Sequence, residues 1–307
     1  MADSLERMLK LILLVVALLV GLLLQRLRSQ ERLRDLIWIV SFWVVIPVLV
    51  FATFLSFPLD RKLALAVAAV IGSTWTLLGL SHLYARLVSR ERDEQGALTL
   101  AAGVGNTGFI GYPLAQLAFG QHGLSLAVVY DQLAFGVPMS SISVVVARLF
   151  GKRSADIGGR SRLAAVLLNP PLWALAAALV LRALGVHIPH IHSVESGAAA
   201  VVGPMGFLML GISLPLEQVE HDLLEVARAT GAMTLKVAVG PLILFVLGRA
   251  VGAHIPATFY LLAAMPPAFH LLTVARVFDM RPALMRLMVV AATIPVVAAV
   301  AIGSFVF

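Results

Sequence analysis

Only a few polar residues in this chain stand inside long apolar runs, so its chemistry has to come from them. The densest group is Gly103-Val104-Gly105-Asn106-Thr107-Gly108, within the run Ala101 to Phe119 that also holds Gly111 and Pro113. An amide and a hydroxyl set among glycines offer hydrogen-bond donors and acceptors beside backbone that can be approached closely. The second group is Pro266-Pro267-Ala268-Phe269-His270. His270 is a candidate ligand contact or titrating group, since histidine is the side chain that titrates unperturbed between pH 5 and 8. Two isolated charges complete the set. Asp131 stands about eight residues into an apolar run, roughly 12 Å deep at 1.5 Å per residue, and Lys236 about thirteen residues into another. Ionisable groups at such depth are expensive and point to function. Two roles stay open for them: a structural charge pair, or binding of the coupling ion or the substrate.

Other chemistries are excluded on the same residues. The stretch from Gly103 to Gly108 matches G-x-G-x-x-G literally, and Asp131 follows as a ribose-binding acid would, but that fingerprint needs a βαβ unit in a soluble domain. Here both flanks are apolar runs of membrane length. His187, His190 and His192 share a polar stretch with Pro189 and read as a solvated outer loop rather than a metal site. With no cysteine there is no disulfide framework and no thiolate metal site. No cofactor is expected. An intramembrane enzyme with His270 and Asp131 as acid–base partners is the alternative from another class, although no nucleophile or metal motif accompanies them. A passive channel is a third reading, disfavoured because two interrupted helices suit a closed midplane site better.

The elements that must position these groups follow from hydropathy. The 307 residues are 60% hydrophobic and 13% charged, with mean hydropathy +0.97, against roughly 25% charged residues in soluble domains. This composition specifies an integral membrane protein. The net charge of +7 lies in short loops and sets topology; it does not imply nucleic acid. A membrane helix needs about 20 mostly apolar residues, and ten spans are expected, near 8–24, 36–57, 61–88, 96–119, 123–149, 163–185, 195–216, 223–251, 256–278 and 282–306. Of the 23 Lys and Arg, sixteen fall on the odd-to-even connections and six on the other side, with Lys236 inside a span. The positive-inside rule then makes the first side cytoplasmic and puts both termini outside.

The polar stretch Gly151 to Arg162 divides the spans five and five. One transporter unit over 1–307 is expected, with a first five-helix repeat (1–150), a cytoplasmic linker (151–162) and a second, inverted repeat (163–307). Pro47, Ser56, Pro58 and Leu59 of the second span recur at matched offsets as Pro204, Ser213, Pro215 and Leu216 of the seventh. The fourth and ninth spans are both broken near mid-depth, one by glycines and Pro113, the other by Pro266 and Pro267. Interrupted helices at equivalent positions of two halves are the best sequence pointer to a carrier's site. Half-helices beginning after Pro113 and Pro267 would aim their N-termini at the midplane, which favours an anion.

The run Gly105-Asn106-Thr107-Gly108-Phe109-Ile110-Gly111-Tyr112-Pro113 resembles the GNTGFLGLP-type signature of the auxin efflux carrier family. Asn169-Pro170-Pro171, Gly203-Pro204 with Leu210 to Leu214, Lys236 with Pro241, and Ala264 to Ala268 followed by Ala275-Arg276 are also similar to that family, in order along nearly the whole chain. The resemblance implies ten helices in two inverted repeats, a scaffold and a transport domain, crossed broken helices four and nine, elevator-type alternating access and carboxylate cargo. It makes Asn106 the substrate-contacting asparagine. Where the family usually carries Asn or Ser after Pro-Pro-Ala, this chain has Phe269 and His270, and Tyr112 stands where leucine is common.

The expectation is an all-α inner-membrane carrier of a small organic anion, secondary active or facilitative. Asn106, Thr107 and His270 contact cargo beside unwound backbone at Gly105, Gly108 and Pro267, and Pro113 shapes the half-helix. Asp131 and Lys236 serve ion coupling, by Na+ or H+, or pair structurally. Spans 1, 2, 6 and 7 form a scaffold that could supply a homodimer surface. A sodium-coupled symporter of a bulkier amphipathic anion, of bile-acid type, is the alternative within transport.

Overall fold

In a bilayer, long runs of Leu, Val, Ala and Ile can satisfy their backbone groups only within themselves, and helix follows. A computed structural model of the chain describes residues 2–27, 29–153, 169–214 and 222–306. Among them the regular structure is helical, joined by short turns and one isolated antiparallel bridge. In chain order the helices are α1 (Ala2–Leu24), α2 (Gln30–Ser56), α3 (Arg61–Val88), α4 (Arg92–Gly103), α5 (Tyr112–Tyr130) and α6 (Gly136–Phe150). Then come α7 (Pro170–Ala183), α8 (Ile191–Ser213), α9 (Leu223–Ala250), α10 (Ala257–Ala263), α11 (His270–Val277) and α12 (Pro282–Val306).

Five helices are long and apolar enough to cross a membrane: α2, α3, α8, α9 and the Pro282–Gly303 part of α12. Others are shorter because the sequence interrupts them. The expected fourth span is α4 plus the first part of α5, the ninth is α10 plus α11, and the fifth starts at a sharp bend where Gly120 takes φ 68. That left-handed conformation is open to glycine and strained for other residues. Most of the expected linker, the start of the sixth span, and Pro215 with Leu216 lie outside the described residues.

Four π turns, Ser41–Val45, Thr107–Gly111, Asp131–Phe135 and Leu235–Val239, share one cause. Each is followed two or three residues later by a proline: Pro47, Pro113, Pro138 or Pro241. Proline lacks the N–H and clashes with the carbonyl four residues back, so the preceding turn widens. Three of the four polar or charged candidates of the first half and of α9, namely Thr107, Asp131 and Lys236, sit in these widened turns.

Packing sorts the helices into two groups. α1 runs along α8, and α2 lies against α7 and α8. Gly21 and Gly211 bring α1 and α8 into backbone contact; a β-carbon on Gly211 would lie 2.3 Å from the Leu18 carbonyl oxygen. In the other group α3 packs on α4 and α9, α4 on α6, α9 and α12, and α10 on α5. Ion pairs fasten one end of this second group. Asp93 at the start of α4 meets Lys152 and Arg281, each at 3.0 Å, and Glu94 meets Arg228 of α9 at 3.0 Å.

Two helix ends are closed by side chains from a neighbour. Gln25, just after α1, donates through Nε2 to the Gly211 and Leu214 carbonyls at 2.6 and 2.7 Å, at the end of α8. Arg182, near the end of α7, donates to the Phe57 and Phe54 carbonyls at 2.6 and 3.2 Å, at the end of α2. Both satisfy carbonyls that a helix C-terminus leaves without an internal partner.

Candidate substrate site

The two interruptions meet. Asn106 N–H donates to the Pro266 carbonyl at 2.7 Å, Ala268 N–H donates to the Val104 carbonyl at 3.1 Å, and Gly105 faces Pro267 in an antiparallel bridge. Backbone freed by broken helices is therefore paired across the crossing, as burial demands. A β-carbon on Gly105 would lie 3.2 Å from the Met265 carbonyl oxygen and 3.0 Å from the Lys236 amine, so glycine is what lets the strands approach. The sequence expectation of two broken spans holds, and the structure brings their breaks together.

Beyond the crossing, Asn106 turns the chain back into helix. Its Oδ1 accepts from Phe109 N–H at 3.2 Å and its backbone carbonyl from Gly111 N–H at 3.0 Å. This is the N-cap arrangement, which asparagine favours. The other half of the amide is unspent: Asn106 is 4% exposed, and among the described residues its Nδ2 has no hydrogen-bond partner. A buried donor left unpaired costs about 1–3 kcal/mol.

That donor borders a cavity of ≈ 680 Å³. Its floor is the crossing, with Gly105, Asn106, Thr107, Gly108, Ala268 and His270. Trp38 and Phe42 of α2, stacked at 4.7 Å, form one wall with Phe109, Phe269 and Met209. Arg34, Asp35 and Arg276 stand around the rim. The volume falls in the usual range of small-molecule sites, about 300–1,000 Å³. Gly108 has open space where a β-carbon would go.

Most of the sequence-predicted residues converge here. Asn106, Thr107, Gly105, Gly108, His270 and Asp131 line the cavity; Pro113, in α5, and Pro267, in the bridge, are not in its lining. His270 opens α11 and is exposed to the cavity, with Nε2 3.3 Å from Ser143 Oγ. Asp131 is held by three donors from its own side: Thr107 Oγ1, Tyr112 OH at 2.7 Å and Gln132 Nε2 at 3.0 Å. These bonds tie the turn after Asn106 to the interior of the fifth span, and the Tyr112 hydroxyl is the part of that residue put to use. Lys236 lies on the other face of the crossing. Among the described residues no ion pair joins it to Asp131, and no hydrogen bond joins His270 to Asp131. The outer-loop histidines do not cluster as a metal site among the described residues; His190 takes φ 59 before α8 and His192 Nδ1 lies 3.8 Å from Glu195.

Sequence reading missed Gln132, Arg276 as a rim cation, and Glu195. The last is a buried carboxylate that accepts from Thr53 at 3.0 Å, Ser125 at 2.7 Å and Ser56 at 3.3 Å. Gln132 could have been found from its place beside Asp131 in an apolar run. Glu195 stood at the first position of an expected span, where a charge reads as loop.

A family model described as "Membrane transport protein" matches residues 5–302. A protein of Methanothermobacter thermautotrophicus, described as an uncharacterized transporter, is 28% identical over 201 residues, 65% of this chain and 64% of its own length. A similarly described protein of Methanocaldococcus jannaschii is 30% identical over 141 residues, 44% of either chain. The chain thus spans less than two thirds of the curated relatives it matches. With the family match covering nearly all of its length, the chain belongs to the membrane transport protein family, that of the auxin efflux carriers.

Proposed function

We propose that the chain is a carrier for an organic anion bearing a carboxylate, working by elevator-type alternating access. The observation that carries the reading is the unpaired, buried Nδ2 of Asn106 at the floor of the cavity. An amide donor with no protein acceptor is suited to an anionic oxygen, and the first turns starting at Thr107 and at His270 add N–H groups and positive dipole ends. Arg34 and Arg276 at the rim draw anions in. By the positive-inside rule the rim lies on the cytoplasmic side and the cavity is inward-open.

The inverted five-helix repeat is supported by the paired end closures. Gln25 follows the first helix and closes the second helix of the other half; Arg182 ends the sixth and closes the second helix of the first half. The group α1, α2, α7 and α8 then serves as scaffold and dimer surface, and the remaining helices move past it. At Gly206 of α8 the groups come into close contact, a β-carbon there lying 2.2 Å from the Phe109 carbonyl oxygen.

Thermal-shift screening of the purified protein against monocarboxylates and dicarboxylates, followed by uptake in proteoliposomes, tests the reading. Stabilisation by one carboxylate, lost in Asn106→Asp, is expected, because a ligand preferring the folded state raises its apparent stability. No response to any carboxylate, with uptake of a cation or neutral solute instead, would refute it. A second reading, a bulkier amphipathic anion, is favoured by the aromatic wall of Trp38, Phe42, Phe109 and Phe269, and the same screen with aromatic and sterol acids distinguishes it.

A further inference from the structure

Lys236 takes no part in the cargo cavity, and its surroundings are unusual for an ammonium group. It is 1% exposed, and among the described residues no carboxylate lies within ion-pair distance of it. Isolated buried charge is costly. Something other than an acid must therefore offset it.

The Leu235–Val239 π turn carries Lys236 to the back of the crossing, where its Cε and Nζ would both lie 3.0 Å from a β-carbon on Gly105. The face of Phe135 is 5.5 Å from Nζ, a favourable but weak contact. The amine also borders a cavity of ≈ 10 Å³ together with Gly103 and Ala263, the last residues of α4 and α10. That is space for about one water. Ser73, Thr74 and Tyr130 supply hydroxyls to the same cavity. A helix C-terminus presents unpaired carbonyls and about half a negative charge. Two such ends converge on this point, and together they amount to roughly the one positive charge that Lys236 brings. In carriers with broken helices, half-helix C-termini and unwound carbonyls are where a coupling cation is held.

We propose that Lys236 is a tethered cation: its ammonium fills the position between the ends of α4 and α10 that a cation bound from solution would need, so the carrier operates without sodium at this site. The inference rests on the carrier reading above and specifies its coupling. The amine also crowds Gly105, where a β-carbon would lie 3.0 Å from it.

The test is thermal unfolding of the full-length protein in detergent, in NaCl and in choline chloride at equal ionic strength. The wild type is expected to melt at the same temperature in both. Lys236→Ala, which leaves room for an n-propyl chain and its amine, should melt at least about 4 °C lower and be raised by n-propylammonium but not by n-propanol. Lys236→Met matches the side chain in length and lacks the charge; it should also melt below the wild type, and it carries the test if Lys236→Ala does not fold. Three results overturn the proposal: sodium raising the wild-type midpoint over choline, Lys236→Met as stable as the wild type, or n-propanol matching n-propylammonium. None of these depends on cargo, so a sodium-responsive wild type would leave the carboxylate reading standing, and a carboxylate-indifferent protein would leave Lys236 tested on its own.

Discussion

Removing the Ser125 hydroxyl should shift the balance between the inward-open state and its opposite without unfolding the protein. Ser125, beyond the Gly120 bend in α5, donates to Glu195 Oε1 of α8 at 2.7 Å, and so joins the group proposed to move to the proposed scaffold. Glu195 is also held by Thr53 at 3.0 Å and Ser56 at 3.3 Å, both on α2, so its carboxylate keeps partners when Ser125 is lost. A hydrogen bond to a charged group contributes about 1.5–3 kcal/mol. The Ser125 hydroxyl has a second acceptor, the Gln121 carbonyl at 3.1 Å, which places the effect of Ser125→Ala near the lower figure. At 1.4 kcal/mol per factor of ten, that is about a tenfold change in the equilibrium between states. The chain has no cysteine, so Thr273→Cys, in the cavity lining and exposed, can be the single target of a membrane-impermeant maleimide applied from either side. The ratio of the two labelling rates follows the equilibrium whichever state dominates, and Ser125→Ala should move it about tenfold away from the cytoplasmic face. Thr53→Ala removes a bond to the same carboxylate but within the scaffold, and should lower stability while leaving the ratio alone. If both variants moved the ratio equally, or neither did, Glu195 would not bridge moving parts and the two groups of helices would not slide at this contact.

Three further outcomes follow from particular contacts. Asn106→Asp keeps the oxygen that caps the Thr107 turn but replaces the unpaired donor with negative charge; its melting temperature should stay within a few degrees of wild type, near the low end of capping effects at about 0.5 kcal/mol, while carboxylate uptake in proteoliposomes falls to background. Gly108→Val places a side chain in open space at the cavity floor, and should leave folding intact while reducing uptake of aromatic acids more than of small ones in a competition assay. Arg228→Ala strands Glu94, whose two oxygens Nη1 reaches at 3.0 Å. Losing one member of a buried pair costs about 3–5 kcal/mol, and because Arg228 is 23% exposed and Ser89 still donates at 2.7 Å, about 3 kcal/mol is expected, a fall of roughly 6–12 °C at 2–4 °C per kcal/mol. Adding Glu94→Gln to Arg228→Ala should restore most of it, and an additive double variant would argue against the pair.

The helices were legible because their cause is local. Apolar runs long enough to span, with prolines and glycines at the breaks, announce both the spans and their interruption, and the sequence places Asn106 at one break and His270 at the other. What a linear reading could not supply is which groups face each other. Asp131 and Lys236 are both deep charges of opposite sign and invite pairing, yet Asp131 is taken up by Thr107, Tyr112 and Gln132. Asp131 stands in the Asp131–Phe135 π turn, and the donors that reach it there come from positions 107, 112 and 132. Glu195 was hidden for a different reason. A carboxylate in a membrane helix is read as costly, and the hydroxyls that lower the cost come from positions 53, 56 and 125, far apart in the chain. Small-residue contacts behave likewise, since nothing in the run around Gly206 tells that Phe109 will press its carbonyl there.

The two breaks produce four half-helix ends, and the crossing sorts them by sign. The turns that begin at Thr107 and His270 present N-termini on the side of the ≈ 680 Å³ cavity, where Asn106 Nδ2 has no partner. The ends of α4 and α10, Gly103 and Ala263, border the ≈ 10 Å³ cavity that Lys236 also lines. One face of a single two-stranded bridge thus favours an anion and the other a cation, separated by little more than the Gly105 backbone. If the cation is part of the protein, the anion site is poised in every state the carrier visits and no ion has to bind before the cargo does. Coupling would then have to come from the cargo's own gradient or from a group on the cavity side. His270 is a titratable residue of the lining placed to supply it, and replacing it with Asn should leave Lys236-dependent stability unchanged.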